Sequence, residues 1–197
     1  MWKEPINSAL IWARRTTNLA SLDPASYRAT YSSLLKLFAD FVDLEDYESV
    51  LCGALAVYGW MPTMLKNPPT PKQWDEHKAV LSDLRSSENW DGADEILVNH
   101  QNVLKFVNNS VVGTSKFLHF SNPNVFPIWD SRIARCVGLR HQYQLNDVGN
   151  YLSYGRAMSE ALRAGFQIPQ RFSGFMGDVS PVRKLEMLLF LYSKTIR

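Results

Sequence analysis

The sequence predicts an all-α protein, a two-lobed helical bundle of eight to ten helices. Three observations lead there. Apolar residues recur at steps of three and four in one segment after another. No segment alternates apolar and polar residues in the manner of a half-buried strand, and there is no internal repeat. Helix starts are marked by a cap residue followed by proline, as at Asp23-Pro24 and Ser180-Pro181.

Taken in order, Ile6 to Ala13 forms a short apolar helix that runs into Arg14 and Arg15. From Asp23-Pro24, the residues Tyr27, Tyr31, Leu34, Leu35, Phe38, Phe41 and Val42 lie on one helical face. Asp43 to Glu48 is an acidic break or helix start. Val50, Leu51, Ala54, Leu55 and Val57 then read as a more buried helix. Tyr58 to Leu65 (YGWMPTML) is a core-facing turn or the apolar wall of a cleft. Lys66 to Pro71 (KNPPTP) lacks three backbone donors, so it is neither helix nor central strand and suits a connection between lobes. Pro71 to Leu84 and Ala93 to Val107 are amphipathic helices separated by a polar turn over 85–92. Asn146 caps a helix to Arg163 with Gly165 as its stop, and Phe166 to Val179 is irregular. Val182 to Tyr192 is the last helix.

At 197 residues, 46% hydrophobic and 12% aromatic, the chain can bury one substantial core. Cys52 and Cys136 make neither a metal pattern nor a disulfide framework. With no signal peptide and no apolar run long enough to span a bilayer, the expected setting is cytoplasmic, without a membrane partner. Net charge is +2, but unevenly placed. Residues 1–109 hold ten Lys/Arg against fourteen Asp/Glu, and residues 110–197 hold eleven against five. The basic half suits a polyanion such as nucleic acid. Ordinary scatter of solvated charge is the plainer explanation. Neither a phosphate-binding loop nor a close His/Asp/Glu cluster is present, so no metal or cofactor is expected, and no protein partner is evident.

The chemistry-bearing stretch is Val111 to Gly138, read as helix, tight loop, helix. Gly113 opens an apolar segment carrying Lys116 and His119, and Asp130 precedes a second helix holding Arg132 and Arg135. A lysine near a helix start, flanked by apolar residues, is pushed toward the neutral amine that nucleophilic chemistry needs. The ordinary alternative is a lysine whose stem covers apolar surface. Asp130 in the setting Phe126-Pro127-Ile128-Trp129 is a natural N-cap, and a carboxylate fixed there can also face developing positive charge. His119 is a core histidine or a phosphate contact.

The order Val-Gly-Thr, lysine, apolar helix, proline-ended loop, aspartate and basic helix resembles the core of the helix-hairpin-helix DNA glycosylases, nearest the 8-oxoguanine branch. The likeness spans about thirty residues. Where that family leads into its turn with Leu-Pro-Gly, this chain has Asn108-Asn109-Ser110-Val111, and Ser115 separates its Gly-Thr from its lysine. The resemblance implies a glycosylase/AP lyase acting on oxidised purine or abasic DNA. Lys116 is then the imine-forming nucleophile and Asp130 the assisting carboxylate. Val112, Gly113 and Thr114 form a turn whose amides meet a phosphate. Arg132 and Arg135, with Arg140, Arg156, Arg163 and His119, would contact DNA. A flipped base needs flat walls, for which Trp60, Met61, Trp129, Phe172 and Phe175 are candidates. Two competing readings are a non-catalytic nucleic-acid binder on the same scaffold and a protein-interaction or phage-defence accessory module.

Overall fold

The computed structural model describes residues 1–16, 25–61 and 63–196, except for the side chains of 25–28 and 173–175. The regular secondary structure of the described residues is all helical, without a strand. In order they form α1 (Lys3–Arg15), α2 (Ala25–Asp40), α3 (Tyr47–Trp60), α4 (Pro71–Ser86) and α5 (Trp90–Asn99). A short 3-10 helix (Gln101–Lys105) precedes α6 (Val111–Ser121), α7 (Ser131–Arg135), α8 (Gln142–Leu145), α9 (Val148–Arg163), α10 (Gln170–Met176) and α11 (Pro181–Ser193). The expected start at Asp23-Pro24 and the side chain of Tyr27 lie outside the described residues.

The boundaries follow local capping chemistry. Thr70 and Gln73 form a reciprocal capping box ahead of Pro71 at the start of α4. Asp46, Asn89, Ser110, Asp130 and Ser180 each accept a first-turn amide at their helices. Asp147, rather than Asn146, caps α9, and Gly165 (φ +74°) closes it. Asn146 is used elsewhere: its Oδ1 accepts from the Val111 amide and its Nδ2 donates to the Asn109 carbonyl. The expected helix from Ala93 to Val107 is two pieces, since His100 (φ −127°, ψ 48°) leaves helical geometry and the chain resumes as the 3-10 helix. The stretch expected to be irregular contains α10, and α8 was not anticipated.

α6 is the centre of the molecule. Val111 and every residue from Gly113 to Phe120 are buried, and α2, α3, α4 and the 3-10 helix pack around it. Phe117 meets Phe38 edge-on at 5.3 Å. A second packing unit joins α5 to α9, where Trp90 lies edge-on to Phe126 and Tyr151. Arg156 and Arg163 of α9 pair with Asp94 and Asp91 of α5. α11 closes the structure against α1, α7 and α9. The Lys66–Pro71 connection is held by Asn108, whose Oδ1 accepts from the Lys66 and Asn67 amides. No helix of the described residues is long and apolar enough to cross a membrane.

Two glycines separate close packing from mere helix propensity. A Cβ on Gly155 would lie 1.9–2.4 Å from Trp90 ring atoms, whereas one on Gly59 would meet nothing within 4 Å. Gly155→Ala should cost about 3 kcal/mol by overpacking. Gly59→Ala should stabilise by about 0.5–1 kcal/mol through backbone entropy. Urea unfolding of both variants checks the pair; equal effects would mean that α9 does not press on Trp90.

Candidate functional site

A helix as buried as α6 must find a partner for each polar side chain it carries. Thr114 accepts the Val107 amide at 2.9 Å. Ser115 accepts the Trp129 amide at 3.1 Å, fixing the far end of the following loop. His119 is wholly enclosed: Nδ1 lies 2.6 Å from the Phe126 carbonyl and Nε2 2.8 Å from the Tyr31 hydroxyl. Burial, followed by the Arg183 charge, depresses its pKa to about 3, so the ring is neutral at physiological pH. Its Nδ1–H then donates to the carbonyl and Nε2 accepts from Tyr31. His119 is therefore a core residue and no phosphate contact.

Lys116 is the exception. Its side chain is 7% exposed, and its Nζ lies 2.8 Å from the Met61 thioether, a weak acceptor. No carboxylate of the described residues comes within ion-pair distance. Its pKa is lowered chiefly by burial; Asp130 and Glu186 oppose the shift, and Arg183 adds to it. Lys116 lies in the second turn of α6, so the helix end is not the main cause.

The lysine faces a cleft of about 560 Å³. Asp130 and Arg132 line the same cleft, with Tyr58, Trp60, Met61 and Phe190 among its walls. Asp130 caps α7 through one oxygen: Oδ1 accepts from the Arg132 and Ile133 amides at 2.9 Å each. Oδ2 takes no hydrogen bond from the described residues and remains available to a ligand. Arg132 lies over the Phe190 ring at 5.3 Å, which steadies the guanidinium at the cleft wall. The loop from Asn122 to Trp129 brings the two ends of the motif together. The Phe126 carbonyl is held by His119 and the Trp129 amide by Ser115.

Several expected site residues belong elsewhere. Val112, Gly113 and Thr114 form the first turn of α6, not a tight turn. The Gly113 and Thr114 amides are taken by Ser110 Oγ and Ser110 O. Gly113 is small because a Cβ would come within 2.4 Å of the Tyr58 hydroxyl oxygen. The turn itself is Val107–Ser110, where Asn108 and Asn109 hold left-handed backbones (φ 59° and 49°). Val112 still lines the cleft. Trp129 is fully buried, packs with Trp2 and Tyr154, and donates its indole N–H to the Leu145 carbonyl. Phe172 is likewise core, against Trp12. The Phe175 side chain lies outside the described residues. Arg135 lies on α7 but does not line the cleft. Arg156 and Arg163 are committed to Asp94 and Asp91.

Sequence reasoning missed Ser110, Gln142 and Phe190 as cleft residues. It also missed the buried pair of Arg183 and Glu186 on α11. The only signal for that pair was an i, i+3 Arg–Glu spacing on an apolar helix. Burial pushes the Glu186 carboxyl above its ordinary range despite Arg183. Among the described residues no three His, Cys, Asp or Glu side chains are grouped to hold a metal ion. Comparison of the chain with family models, curated proteins and solved structures finds no match.

An amine buried with only a thioether partner is a stability cost. Lys116→Met should therefore raise stability at neutral pH by about 1–3 kcal/mol. Because the folded pKa lies below the unfolded value of 10.5, the unfolded state holds the proton more tightly. Wild-type stability then falls as pH drops from 10.5 through the folded pKa. The gain from Lys116→Met should be smaller at pH 10.5 than at pH 7. Urea unfolding at both pH values measures it; a destabilised Lys116→Met protein would make the lysine a structural support.

Proposed function

We propose that the cleft belongs to an imine-forming DNA glycosylase/AP lyase acting on oxidised purine or abasic DNA. One observation carries this reading: a buried lysine without a carboxylate partner and an aspartate with an open oxygen line the same cleft. Burial favours the neutral amine of Lys116, which can attack the sugar C1′. The new N–C bond forms as the glycosidic bond breaks, and the base leaves with the bonding electrons and takes up a proton. In an abasic sugar the same amine adds to the aldehyde and loses water. Asp130 is held by the α7 amides so that Oδ2 can stabilise positive charge on the sugar. Trp60 and Met61 offer flat and adaptable walls, and Arg132 offers a guanidinium to a phosphate. The C1′–O4′ bond then opens as the amine's proton passes to O4′, leaving the imine, and loss of a proton from C2′ would eliminate the 3′ phosphate.

A second reading has its own observation. The Lys116 amine rests on Met61 with the side chain almost wholly covered, as in a non-catalytic nucleic-acid binder that keeps this scaffold. The two readings part in a trapping experiment with DNA containing 8-oxoguanine or an abasic site, reduced by borohydride. The glycosylase/lyase reading expects a covalent adduct with wild type and none with Lys116→Ala. Asp130→Asn should slow adduct formation by about 100-fold or more. A folded wild-type protein that gives no adduct with either DNA would favour the binder.

A further inference from the structure

We infer that the Tyr58 hydroxyl carries the proton that opens the sugar ring in this cleft, giving its own proton to O4′ and taking one from the nitrogen that Lys116 has bonded to C1′. The chemistry rests on the glycosylase/lyase reading; the placement of the hydroxyl does not.

The end of α3 meets the start of α6 at two points. The Tyr58 hydroxyl oxygen fills the space that a Cβ on Gly113 would need, and the Met61 thioether lies 2.8 Å from Lys116 Nζ. Residues 113 and 116 are three apart on α6 and share a face, where such positions are about 5–6 Å from each other. The hydroxyl therefore sits one helical turn from the root of the lysine. Tyr58 lines the cleft, and so do Asn108 and Ser110, whose side chains hydrogen-bond to its hydroxyl. The hydroxyl end of the ring is thus at the cleft wall. Asn108 Oδ1 already accepts from the Lys66 and Asn67 amides, so Asn108 turns its side-chain N–H to Tyr58. Ser110 Oγ accepts from the Gly113 amide and has its own O–H to give. With donors on its oxygen, the phenol can direct its own proton into the cleft. Burial raises its pKa above the ordinary value, against the hydrogen bonds of Asn108 and Ser110, so the proton is present at neutral pH.

The reaction needs such a group. Once the amine has bonded to C1′, ring opening moves a proton from nitrogen to O4′. Both atoms are attached to C1′, so direct transfer passes through a strained four-membered arrangement. A hydroxyl that gives one proton and takes another makes the arrangement six-membered. The C1′–O4′ bond breaks, its electron pair goes to O4′, and the Tyr58 proton joins it there. The nitrogen passes a proton to the Tyr58 oxygen, and its electron pair closes the C=N bond. Tyr58 ends as it began. The Asn108 and Ser110 donors steady whatever negative charge gathers on its oxygen between the two transfers. The other hydroxyls of the lining, Thr63 and Ser131, are aliphatic and much weaker acids than a phenol. Asp130 would lose its hold on the positive sugar by taking up the proton itself.

The test follows adduct formation under cyanoborohydride with abasic DNA and, separately, with free deoxyribose 5-phosphate, each at saturation. Tyr58→Phe keeps the ring and removes the hydroxyl. It should slow adduct formation by about 100-fold, the usual worth of a positioned proton donor. Its affinity for DNA carrying a stable abasic analogue, read by fluorescence anisotropy, should match that of wild type. Added imidazolium buffer should restore the rate of Tyr58→Phe in proportion to its concentration and leave wild type unchanged, which a merely structural role would not produce. Equal rates in the two proteins, a slow Tyr58→Phe that buffer acid does not restore, or a wild-type rate that rises with buffer acid each overturn the inference while leaving the lysine chemistry standing. Dependence on Tyr58 with the free sugar but no adduct with DNA supports the proton carrier and removes the DNA reading. No wild-type adduct with either substrate removes both.

Discussion

A helix enclosed on nearly every side must settle the polar groups it carries before its neighbours can close over it, and α6 meets that constraint unevenly. Thr114, Ser115 and His119 each find partners, and each partnership also builds structure. Thr114 ties the helix to the start of the preceding turn through Val107. Ser115 and His119 hold the two ends of the Phe126–Trp129 segment, so the loop that would otherwise be hard to place is anchored from the helix it leaves. The fourth polar residue, Lys116, receives only a thioether. Among the buried polar side chains of this helix, the one left with the weakest partner is the one that lines the cleft.

The cleft inherits its form from the same constraint. Because the loop is pinned, Asp130 is held at the start of α7, where Oδ1 caps the helix and Oδ2 takes no hydrogen bond from the described residues. On the opposite side, Asn108 and Asn109 turn the chain in left-handed conformations just before α6. Asn108 uses its side chain to hold the proline-rich connection after α3. That connection follows Trp60 and Met61, which wall the cleft. A turn, a cap and a buried helix therefore place the lysine, the carboxylate and the apolar wall without any of them resting on a long flexible loop.

Much of the helical outline was legible in the sequence because capping is local chemistry. Thr70-Pro71, Ser180-Pro181 and Asp130 mark starts within one residue of where the helices begin. The likeness to a hairpin motif drew attention to Lys116 and Asp130, but their shared cleft depends on backbone contacts of Ser115 and His119 that no helical phase encodes. Gly113 misled for a physical reason: a glycine before an apolar run signals a turn, yet here the missing Cβ makes room for Tyr58 inside a helix. Trp129 and Phe172 misled because a large aromatic side chain suits a pocket and a core equally well. The charge asymmetry of the two halves was real in composition, but two of the eleven Lys/Arg of the basic half, Arg156 and Arg163, pair with Asp94 and Asp91 across the α5–α9 contact. Composition counts charges without showing which of them meet.

The same pairing bears on how the site should be understood. A basic sequence half is often equated with a polyanion-binding face, yet opposite charges on the two halves can draw the chain together instead. The cleft itself presents a covered amine, the Asp130 carboxylate, a guanidinium laid on Phe190, and aromatic surface at Tyr58 and Trp60. Each of these acts over a few ångströms, not across a long electrostatic face. Burial of Lys116 lowers the pKa of its amine against the opposing charges of Asp130 and Glu186, and so shifts it toward the neutral form within a cleft it lines.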